Sequence, residues 1–228
     1  MAVTLAFDVY GTLLDTQGVM TLLEGMVGGL AGEFSRSWRD KQLEYSFRRG
    51  LMRQYRDFGV CTRDALEYCC QLYGVDLGVA QKQGLLDSYH ALPAFADVEP
   101  ALDRLSDAGL PLYAFSNGTA AAVDTALQAA GIRDRFEQVI SVENIHSFKP
   151  DPAVYQDFLR RAVAKASQAW LISGNSFDVI GARAAGMNAA WVRRSPAAVF
   201  DPWGIDPTLV VDDLGQLADR FTQAGDSR

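Results

Sequence analysis

The first pattern along the chain is a short apolar run that ends on a carboxylate. Residues 3–7 are mostly apolar, Asp8 follows them, and Gly11 and Thr12 then form a turn signal. A brief apolar segment bounded by a turn is typical of a buried strand. Open α/β sheets place their chemistry at the carboxyl ends of such strands. We therefore predict a strand that delivers Asp8 to a functional edge of a sheet.

The next segment, from about 16 to 92, has helical rather than strand periodicity. Its clearest repeat places an apolar or aromatic residue at every fourth position from Leu43 to Tyr55, which would form one face of a helix. The pattern predicts a helical domain at 16–92 that is inserted into a core formed by 1–15 and 93–228. Below, 16–92 is called the helical segment.

Strand and helix patterns alternate in the rest of the chain, after a linker at 91–98 that contains Pro93 and is followed by Pro100. The predicted strands are 112–115, 138–140, 169–172, 189–192 and 209–211. The predicted helices are 120–130, one that begins at Asp151-Pro152 and one that ends near Ala185. This alternation predicts an α/β fold with a doubly wound parallel sheet. The tail from Gln223 onward is expected to fray.

Composition limits the classes of partner. The chain has 228 residues and a formal net charge of −7, so it is long enough to bury a core and has no general basic surface for nucleic acid or an anionic membrane. The run before Asp8 is too short for a signal peptide or a membrane span, and a cytoplasmic location is expected. Cys61, Cys69 and Cys70 lack disulfide or zinc-site spacing and are predicted to be buried free thiols.

Polar side chains follow the predicted strands at four places. They are Asp8 with Thr12, Ser116 with Asn117, Lys149, and Ser173 with Asn175 and Asp178. Each group alone is also typical of a helix cap or a turn. Because the ends of parallel strands meet at one edge of the sheet, their recurrence at that position predicts one shared cleft.

The same positions form four ordered motifs that resemble those of the haloacid dehalogenase superfamily. The motifs are Phe7-Asp8-Val9-Tyr10-Gly11-Thr12-Leu13, Ser116-Asn117-Gly118, Lys149-Pro150-Asp151 and Ser173-Gly174-Asn175-Ser176-Phe177-Asp178. The resemblance covers essentially the whole chain and implies a Rossmann-like core with the helical segment as its cap. Four such motifs identify the superfamily, but they do not by themselves choose the reaction.

Two departures from the phosphatases of that superfamily favour a different reaction. Those enzymes carry a second aspartate two residues after the first and a Gly-Asp pair in the fourth motif, whereas this chain has Tyr10 and Asn175. A phosphate dianion beside Asp8 would need a divalent cation, but a monoanionic haloacid can be held by lysine and hydroxyl donors. With Trp38-Arg39, the motifs resemble the L-2-haloacid dehalogenase branch, which implies hydrolysis without a metal or another cofactor.

The resemblance implies a two-step reaction with Asp8 as the nucleophile. Its carboxylate would displace halide from the substrate Cα with inversion and form an ester. Asp178 would then activate the water that attacks the acyl carbon of Asp8. The charge of Lys149 would favour the ionised nucleophile or bind the substrate carboxylate. Ser173 and Asn175 would orient this water or the ester carbonyl.

Further positions correspond to substrate contacts in the family. Ser116 would bind the substrate carboxylate. Negative charge collects on the departing halide, so donors aimed at it stabilise the transition state more than the resting substrate. The residues that surround the halide in the family correspond to Arg39, Asn117 and Phe177. The alkyl pocket corresponds to Tyr10 and Leu43, and Tyr155 corresponds to a residue that supports the site. Thr12, four residues after Asp8, can hold the Asp8 carboxylate by a hydrogen bond. Core packing is an alternative role for Tyr10, Leu43, Tyr155 and Phe177, and helix capping is one for Thr12. The competing arginines, which spacing does not exclude, are Arg36, Arg48, Arg49 and Arg53.

The favoured hypothesis is a hydrolase that converts short L-2-haloacids into D-2-hydroxy acids and halide. The family resemblance also implies a homodimer. A Mg²⁺-dependent phosphatase of the same fold is the first alternative, and Tyr10 and Asn175 count against it. A silent family member that only binds a ligand is the second. The intact set of Asp8, Arg39, Lys149 and Asp178 counts against that alternative.

Overall fold

Six parallel strands form one sheet in this computed structural model, which describes residues 3–223. The strand order is β3-β2-β1-β4-β5-β6, so the chain moves outward from β1 in both directions. The strands are β1 (Thr4–Phe7), β2 (Leu112–Ser116), β3 (Gln138–Ser141), β4 (Ala169–Ser173), β5 (Asn188–Val192) and β6 (Leu209–Val211). The predicted α/β class with a doubly wound parallel sheet is confirmed.

Four of the helices lie in the helical segment, and 16–92 contains no strand. The helices are α1 (Met20–Val27), α2 (Ala31–Leu51), α3 (Phe58–Tyr73), α4 (Val79–Ser88), α5 (Val98–Asp107), α6 (Ala120–Ala129), α7 (Pro152–Arg161), α8 (Ser176–Ala184) and α9 (Leu214–Thr222). Short 3-10 turns precede α1 and α2. The segment is therefore helical as predicted, and its status as a separate domain stays a prediction.

The observed elements differ from the predicted ones in a few places. Strands β2, β3 and β4 each extend one residue further than predicted, onto Ser116, Ser141 and Ser173. Helices α5 and α9 were not predicted. Pro100 lies in the first turn of α5, where a helix needs no N–H donor and tolerates proline. The predicted fraying of the tail concerns mainly 224–228, which lie outside the described residues.

One cluster of buried side chains connects the helical segment to the sheet. Leu5 and Phe7 of β1 belong to the same cluster as Phe34, Trp38 and Leu66 of α2 and α3. Burial of each large apolar side chain contributes on the order of 1.5–3 kcal/mol. The helices of 16–92 are therefore held against the sheet by a shared core rather than by surface contacts alone.

The chain leaves the sheet for the helical segment and returns from it along two adjacent stretches. Leu14 forms an antiparallel bridge with Ala94. The Asp15 N–H donates to the carbonyl of Pro93 at 2.8 Å, and the N–H of Phe95 donates to the carbonyl of Leu13 at 3.0 Å. These two stretches, 12–15 and 93–97, are called the connecting segments below.

The three cysteines, Cys61, Cys69 and Cys70, are buried and unpaired, which confirms the predicted free thiols. Burial raises the pKa of Cys61 and of Cys69 to about 11. At neutral pH both are therefore protonated and poor nucleophiles.

Helix length and apolarity together decide whether a helix can cross a bilayer. Within residues 3–223, none of the helices meets both requirements.

Candidate active site

Asp8 lies directly after the central strand β1, between the ends of β2 and β4, and four donors hold its carboxylate. Oδ2 accepts hydrogen bonds from Thr12 Oγ1 at 2.8 Å, Asn175 Nδ2 at 2.7 Å and Ser173 Oγ at 3.2 Å. Oδ1 accepts one from Lys149 Nζ at 3.1 Å. The side chain is only 10% exposed. The carboxylate is thus fixed in one orientation, with three donors on one oxygen and one on the other.

Lys149 uses all three donors of its ammonium group. Its Nζ donates to Asp8 Oδ1, to Asp178 Oδ2 at 2.8 Å and to the carbonyl of Phe115 at 2.8 Å. Burial by itself would lower the pKa of this lysine, but the charges of Asp178 and Asp8 outweigh it and the pKa is raised. A charged ammonium therefore lies between the two carboxylates.

Asp178 lies in the first turn of α8 and is completely buried. The hydroxyl of Tyr155, on α7, donates to its Oδ1 at 2.8 Å. Burial raises the pKa of Asp178 to about 6, and the charge of Asp8 adds to this, while Lys149 and the Tyr155 hydrogen bond act in the opposite direction. The group is therefore ionised at neutral pH and more basic than an ordinary aspartate, which suits a general base.

The turn after β4 touches the turn that carries Asp8. Thr12 Oγ1 accepts a hydrogen bond from the Gly174 N–H at 2.8 Å. A Cβ on Gly174 would lie 2.4 Å from the carbonyl oxygen of Gly11, so only glycine allows this approach. The Asn175 N–H donates to Ser173 Oγ at 3.1 Å. These contacts align Ser173 and Asn175 on Asp8.

The second motif shapes the site without a hydrogen bond to Asp8. Ser116 Oγ accepts from the Gly118 N–H at 3.1 Å, which fixes the turn after β2. Asn117 Oδ1 accepts from the backbone N–H of Lys149 at 2.9 Å, and so joins this turn to the third motif. Binding of the substrate carboxylate by Ser116 and of halide by Asn117 stays a prediction.

Arg39 reaches the turn after Asp8 from helix α2. Its Nη2 donates to the Tyr10 carbonyl at 3.3 Å, an oxygen that also accepts from Asn175 Nδ2 at 3.1 Å. Its Nη1 donates to Gln42 Oε1 at 3.5 Å. Arg39 is therefore linked to the Asp8 turn from the side of the helical segment.

The competing arginines face elsewhere. Arg48 pairs with Glu44, and Arg49 pairs with Asp64 at 2.9 Å. Arg36 and Arg53 are exposed. Of the five arginines at and around this part of α2, Arg39 is thus the one whose contacts lead to the Asp8 turn.

Tyr10 lines a cavity of about 500 Å³ between the helical segment and the sheet, together with Tyr89 and Gly118. The two tyrosine rings lie 6.3 Å apart. Burial raises the pKa of Tyr10 to about 12, with a smaller contribution from Tyr89. Tyr10 is therefore neutral, as a wall of a pocket for an alkyl group would be.

Phe177 and Leu43 are the two apolar side chains predicted to contact substrate. The ring of Phe177 packs edge-on against Phe47 of α2, with centroids 5.1 Å apart. Both line a mostly apolar cavity of about 660 Å³. Leu43 is half-buried and packs against a buried cluster that includes Phe115 and Phe148. Their predicted contacts with substrate stay predictions.

The two acidic side chains of the site share one cation of the protein. Within residues 3–223, no three His, Cys, Asp or Glu side chains come together as metal ligands. The two carboxylates that do converge, Asp8 and Asp178, share the ammonium of Lys149. A positive charge of the protein itself therefore lies between the two acids, and hydrolysis without a metal stays a prediction.

Comparison with known proteins places the chain in a family. The family model described as haloacid dehalogenase-like hydrolase matches residues 3–186. The chain belongs to this family. Among the similar relatives of the hydrolase is the (S)-2-haloacid dehalogenase of Pseudomonas sp. (strain YL). The two are 35% identical over 220 residues, which cover 96% of this chain and 94% of the relative.

Solved structures agree with this assignment of the hydrolase. The L-2-haloacid dehalogenase of Xanthobacter autotrophicus superposes with a TM-score of 0.89 at 30% identity, over 98% of this chain and 99% of that one. A structure of that enzyme with chloropropionic acid covalently bound superposes with the same TM-score at 29% identity and the same coverage.

Two features of the hydrolase's site were not predicted from the sequence. The Phe115 carbonyl accepts a hydrogen bond from Lys149, and a backbone acceptor has no residue-type signal. Gln42 Nε2 donates to the hydroxyl of Tyr89 at 2.9 Å and so joins α2 to the residue that follows α4. Gln42 follows Arg39 by three residues, so helical spacing could have placed both on one face.

Proposed function

We propose that this hydrolase converts short L-2-haloacids into D-2-hydroxy acids and halide, through an ester on Asp8 and without a metal. One observation carries the proposal. A buried, charged Lys149 lies between Asp8 and Asp178, with hydrogen bonds of 3.1 and 2.8 Å. This arrangement gives a held nucleophile, a basic carboxylate beside it and a cation supplied by the protein. The relatives named as (S)-2-haloacid dehalogenases support it.

In the first step we assign the attack to Oδ1 of Asp8. Oδ2 already accepts three hydrogen bonds, whereas Oδ1 accepts one and keeps a lone pair for the substrate Cα. The new Oδ1–Cα bond forms as the carbon–halogen bond breaks from the opposite side, and the bonding pair leaves with the halide. Configuration at Cα inverts. Arg39 is the cation proposed to receive the halide, because it faces the same turn from α2.

In the second step Asp178 removes a proton from a water molecule, which attacks Cγ of the Asp8 ester. Negative charge then develops on Oδ2, where Thr12, Ser173 and Asn175 already donate. Donors fixed before charge develops are the main source of stabilisation in such acyl transfers. Collapse of the intermediate breaks the acyl carbon–Oδ1 bond, and the proton held by Asp178 passes to the departing alkoxide oxygen to give the hydroxy acid. The water oxygen stays in the Asp8 carboxyl group, which loses its remaining proton to solvent.

The experiment that tests the function compares two reactions. We expect halide release from L-2-chloropropionate in the presence of EDTA, and none from the D enantiomer, because backside attack in a fixed site admits one configuration. A generic phosphomonoester with Mg²⁺ is the second substrate. Phosphate release without halide release would overturn the proposal in favour of the phosphatase alternative.

The organisation of the molecule is part of the same proposal. We propose that the helical segment is a cap over the core formed by 1–15 and 93–228, and that the protein is a cytoplasmic homodimer, as resemblance to the family implies. Light scattering after size-exclusion chromatography tests the dimer: a mass near that of the single 24.9 kDa chain would contradict it.

A further inference from the structure

Arg194 follows strand β5 and contacts both connecting segments. On the first, its Nε and Nη2 donate to the carbonyl of Thr12 at 3.1 and 2.6 Å. On the second, its Nη1 donates to both carboxylate oxygens of Asp97 at 2.8 and 2.7 Å, and its guanidinium lies 4.2 Å from the ring centroid of Phe95. The side chain is 14% exposed. One planar cation therefore joins the two segments that connect the sheet to the helical segment.

The partner of Arg194 is itself fixed. Asp97 immediately precedes α5, and its Oδ2 also accepts from the backbone N–H of Leu214, the first residue of α9, at 2.6 Å. The carboxylate is thus bound from two directions. Arg194 is anchored to the core on this side, so its other donors can define the position of Thr12.

Thr12 links the Arg194 contact to the nucleophile Asp8. Its hydroxyl donates to Asp8 Oδ2 at 2.8 Å and accepts from the Gly174 N–H at 2.8 Å. The backbone of the same residue is held by Arg194. A shift of the Thr12 backbone would move the donor that orients Asp8 and loosen its contact with the turn after β4.

We infer that Arg194 is a positioning residue for the proposed reaction. It holds the Thr12 carbonyl so that the Thr12 hydroxyl keeps the Asp8 carboxylate aligned for attack. Its fork geometry is required, because the guanidinium offers separate donors to the carbonyl and to Asp97, whereas a lysine offers one point charge. The effect on turnover rests on the proposed function, while the effect on the Thr12 turn does not.

The chain provides a matched control at the neighbouring position. Arg193 also forms an ion pair, with Asp212 Oδ1 at 2.8 and 2.6 Å, but it is 41% exposed and faces away from the Asp8 turn. A surface pair of this kind contributes little to stability. Arg193→Gln therefore removes the same charge from the same stretch of chain without touching Thr12.

The kinetic test compares Arg194→Gln, Arg194→Lys and Arg193→Gln in halide release. Because a misplacement of about 1 Å can cost about 10²-fold in rate, we expect kcat to fall about 10²-fold in Arg194→Gln with KM changed less than about threefold. Arg194→Lys keeps a cation opposite Asp97 and should fold, yet we expect its kcat to stay at least about tenfold low. Arg193→Gln should match the wild type. A kcat in Arg194→Gln or Arg194→Lys within about twofold of wild type would overturn the inference.

A double-mutant cycle separates positioning from general damage. Thr12→Val removes the hydroxyl and keeps the backbone carbonyl. If Arg194 acts through Thr12, Arg194→Gln should lower kcat much less in the Thr12→Val background than in the wild type, because groups that act as a unit are non-additive. If Arg194→Gln lowers kcat by the same factor in the wild type and in Thr12→Val, Arg194 does not act through this hydroxyl.

Hydrogen exchange provides a readout that needs no substrate. The amides of Leu13 and Leu14 donate to the carbonyl of Val9 at 2.9 and 3.0 Å and report on the turn that Arg194 holds. We expect faster exchange over 9–14 in Arg194→Gln than in Arg193→Gln. Equal exchange in both would overturn the inference. A wild-type protein that releases no halide would instead overturn the proposed function.

Discussion

Asp178 carries a negative charge in a completely buried position, and the residues around it decide how basic it is. Desolvation disfavours the charged form of a carboxylate, while a neighbouring ammonium and a hydroxyl donor favour it. Asp178 experiences all three effects, and the pKa of about 6 is their balance. A base that is ionised at neutral pH but close to its pKa is efficient at proton abstraction.

The acidic limb of the pH–rate profile should depend on Tyr155. The pKa of Asp178 is raised to about 6 while Asp8 is ionised, and it falls when esterification removes the charge of Asp8. The carboxylate of the ester form therefore takes up a proton at a pH no higher than about 6, and kcat should decline below that pH. The Tyr155 hydrogen bond lowers this pKa. We therefore expect Tyr155→Phe to shift the limb to higher pH when kcat for L-2-chloropropionate is measured from pH 4 to 9.

A matched control for this shift is Tyr113→Phe. The Tyr113 hydroxyl donates to Glu137 at an exposed site, so its removal should leave the profile unchanged. An unshifted acidic limb in Tyr155→Phe would contradict the assignment of that limb to Asp178.

Substitution of the two carboxylates should separate the two steps. Asp8→Asn removes the charged nucleophile, and we expect no halide release. Asp178→Asn leaves the nucleophile but removes the base, so the ester should form and its hydrolysis should slow by about 10²–10⁴-fold. Mass spectrometry of the intact protein after mixing with L-2-chloropropionate would detect the adduct on Asp178→Asn. An adduct on Asp8→Asn, or none on either protein under any condition, would contradict the covalent route.

Helices α7 and α8 approach each other closely at Gly181, next to the base. A Cβ at Gly181 would lie 2.4 Å from the Tyr155 hydroxyl oxygen and 2.7 Å from Pro150 Cβ. We expect Gly181→Ala to lower the free energy of unfolding by about 1–3 kcal/mol, since overpacking forces neighbours apart. It should also lower kcat, because the displaced hydroxyl is the one that binds Asp178.

A glycine in an open helix provides the contrast. Gly84 lies in α4, is exposed and has no atom within 4 Å of an added Cβ. Gly84→Ala should raise the free energy of unfolding by about 0.5–1 kcal/mol, because alanine loses less backbone entropy in a helix. Urea denaturation of both variants measures the two effects. A Gly181→Ala protein as stable as the wild type would contradict the close packing described here.

The elements that carry the site were the most predictable ones. Strand β1 and the turns that bear Asp8 and Asp178 have compact apolar runs followed by polar groups, and both patterns follow from local sequence. Helix α5 was not predicted, because two prolines at 93 and 100 are typical of a linker, whereas Pro100 lies in the first turn of this helix. Arg194 was also missed, since its acceptor is the backbone carbonyl of Thr12, 182 positions away, and such an acceptor has no sequence signal.

At the scale of the whole molecule, the helical segment and the sheet share buried side chains. The cluster that contains Phe7 of β1 also contains Phe34 and Trp38 of α2. Separation of the two parts would expose these side chains to water, at about 25 cal/mol for each Å² of apolar surface. We therefore expect one cooperative unfolding transition, even though the segment is proposed to be a cap.

Two spectroscopic probes, each sensitive to both the helical segment and the core, test whether unfolding is cooperative. Far-UV circular dichroism follows all helices. Tryptophan fluorescence follows Trp38 in the helical segment together with Trp170, Trp191 and Trp203 in 93–228. Their midpoints in urea should coincide, and the calorimetric and van't Hoff enthalpies should agree. Two separate transitions would contradict a shared core and indicate that 16–92 folds by itself.

The shared ammonium of Lys149 also sets an order of events. In the free protein the charge of Asp8 is one of the causes that raise the pKa of Asp178, while Lys149 divides its attraction between both acids. Once Asp8 is esterified in the proposed reaction, that repulsion disappears and the whole attraction falls on Asp178, which then releases any remaining proton. Formation of the ester thus prepares the base for hydrolysis, since Asp178 is most fully ionised when there is an ester to hydrolyse. Because one fixed cation is shared by the two carboxylates, the ionisation of Asp178 depends on whether Asp8 is charged or esterified.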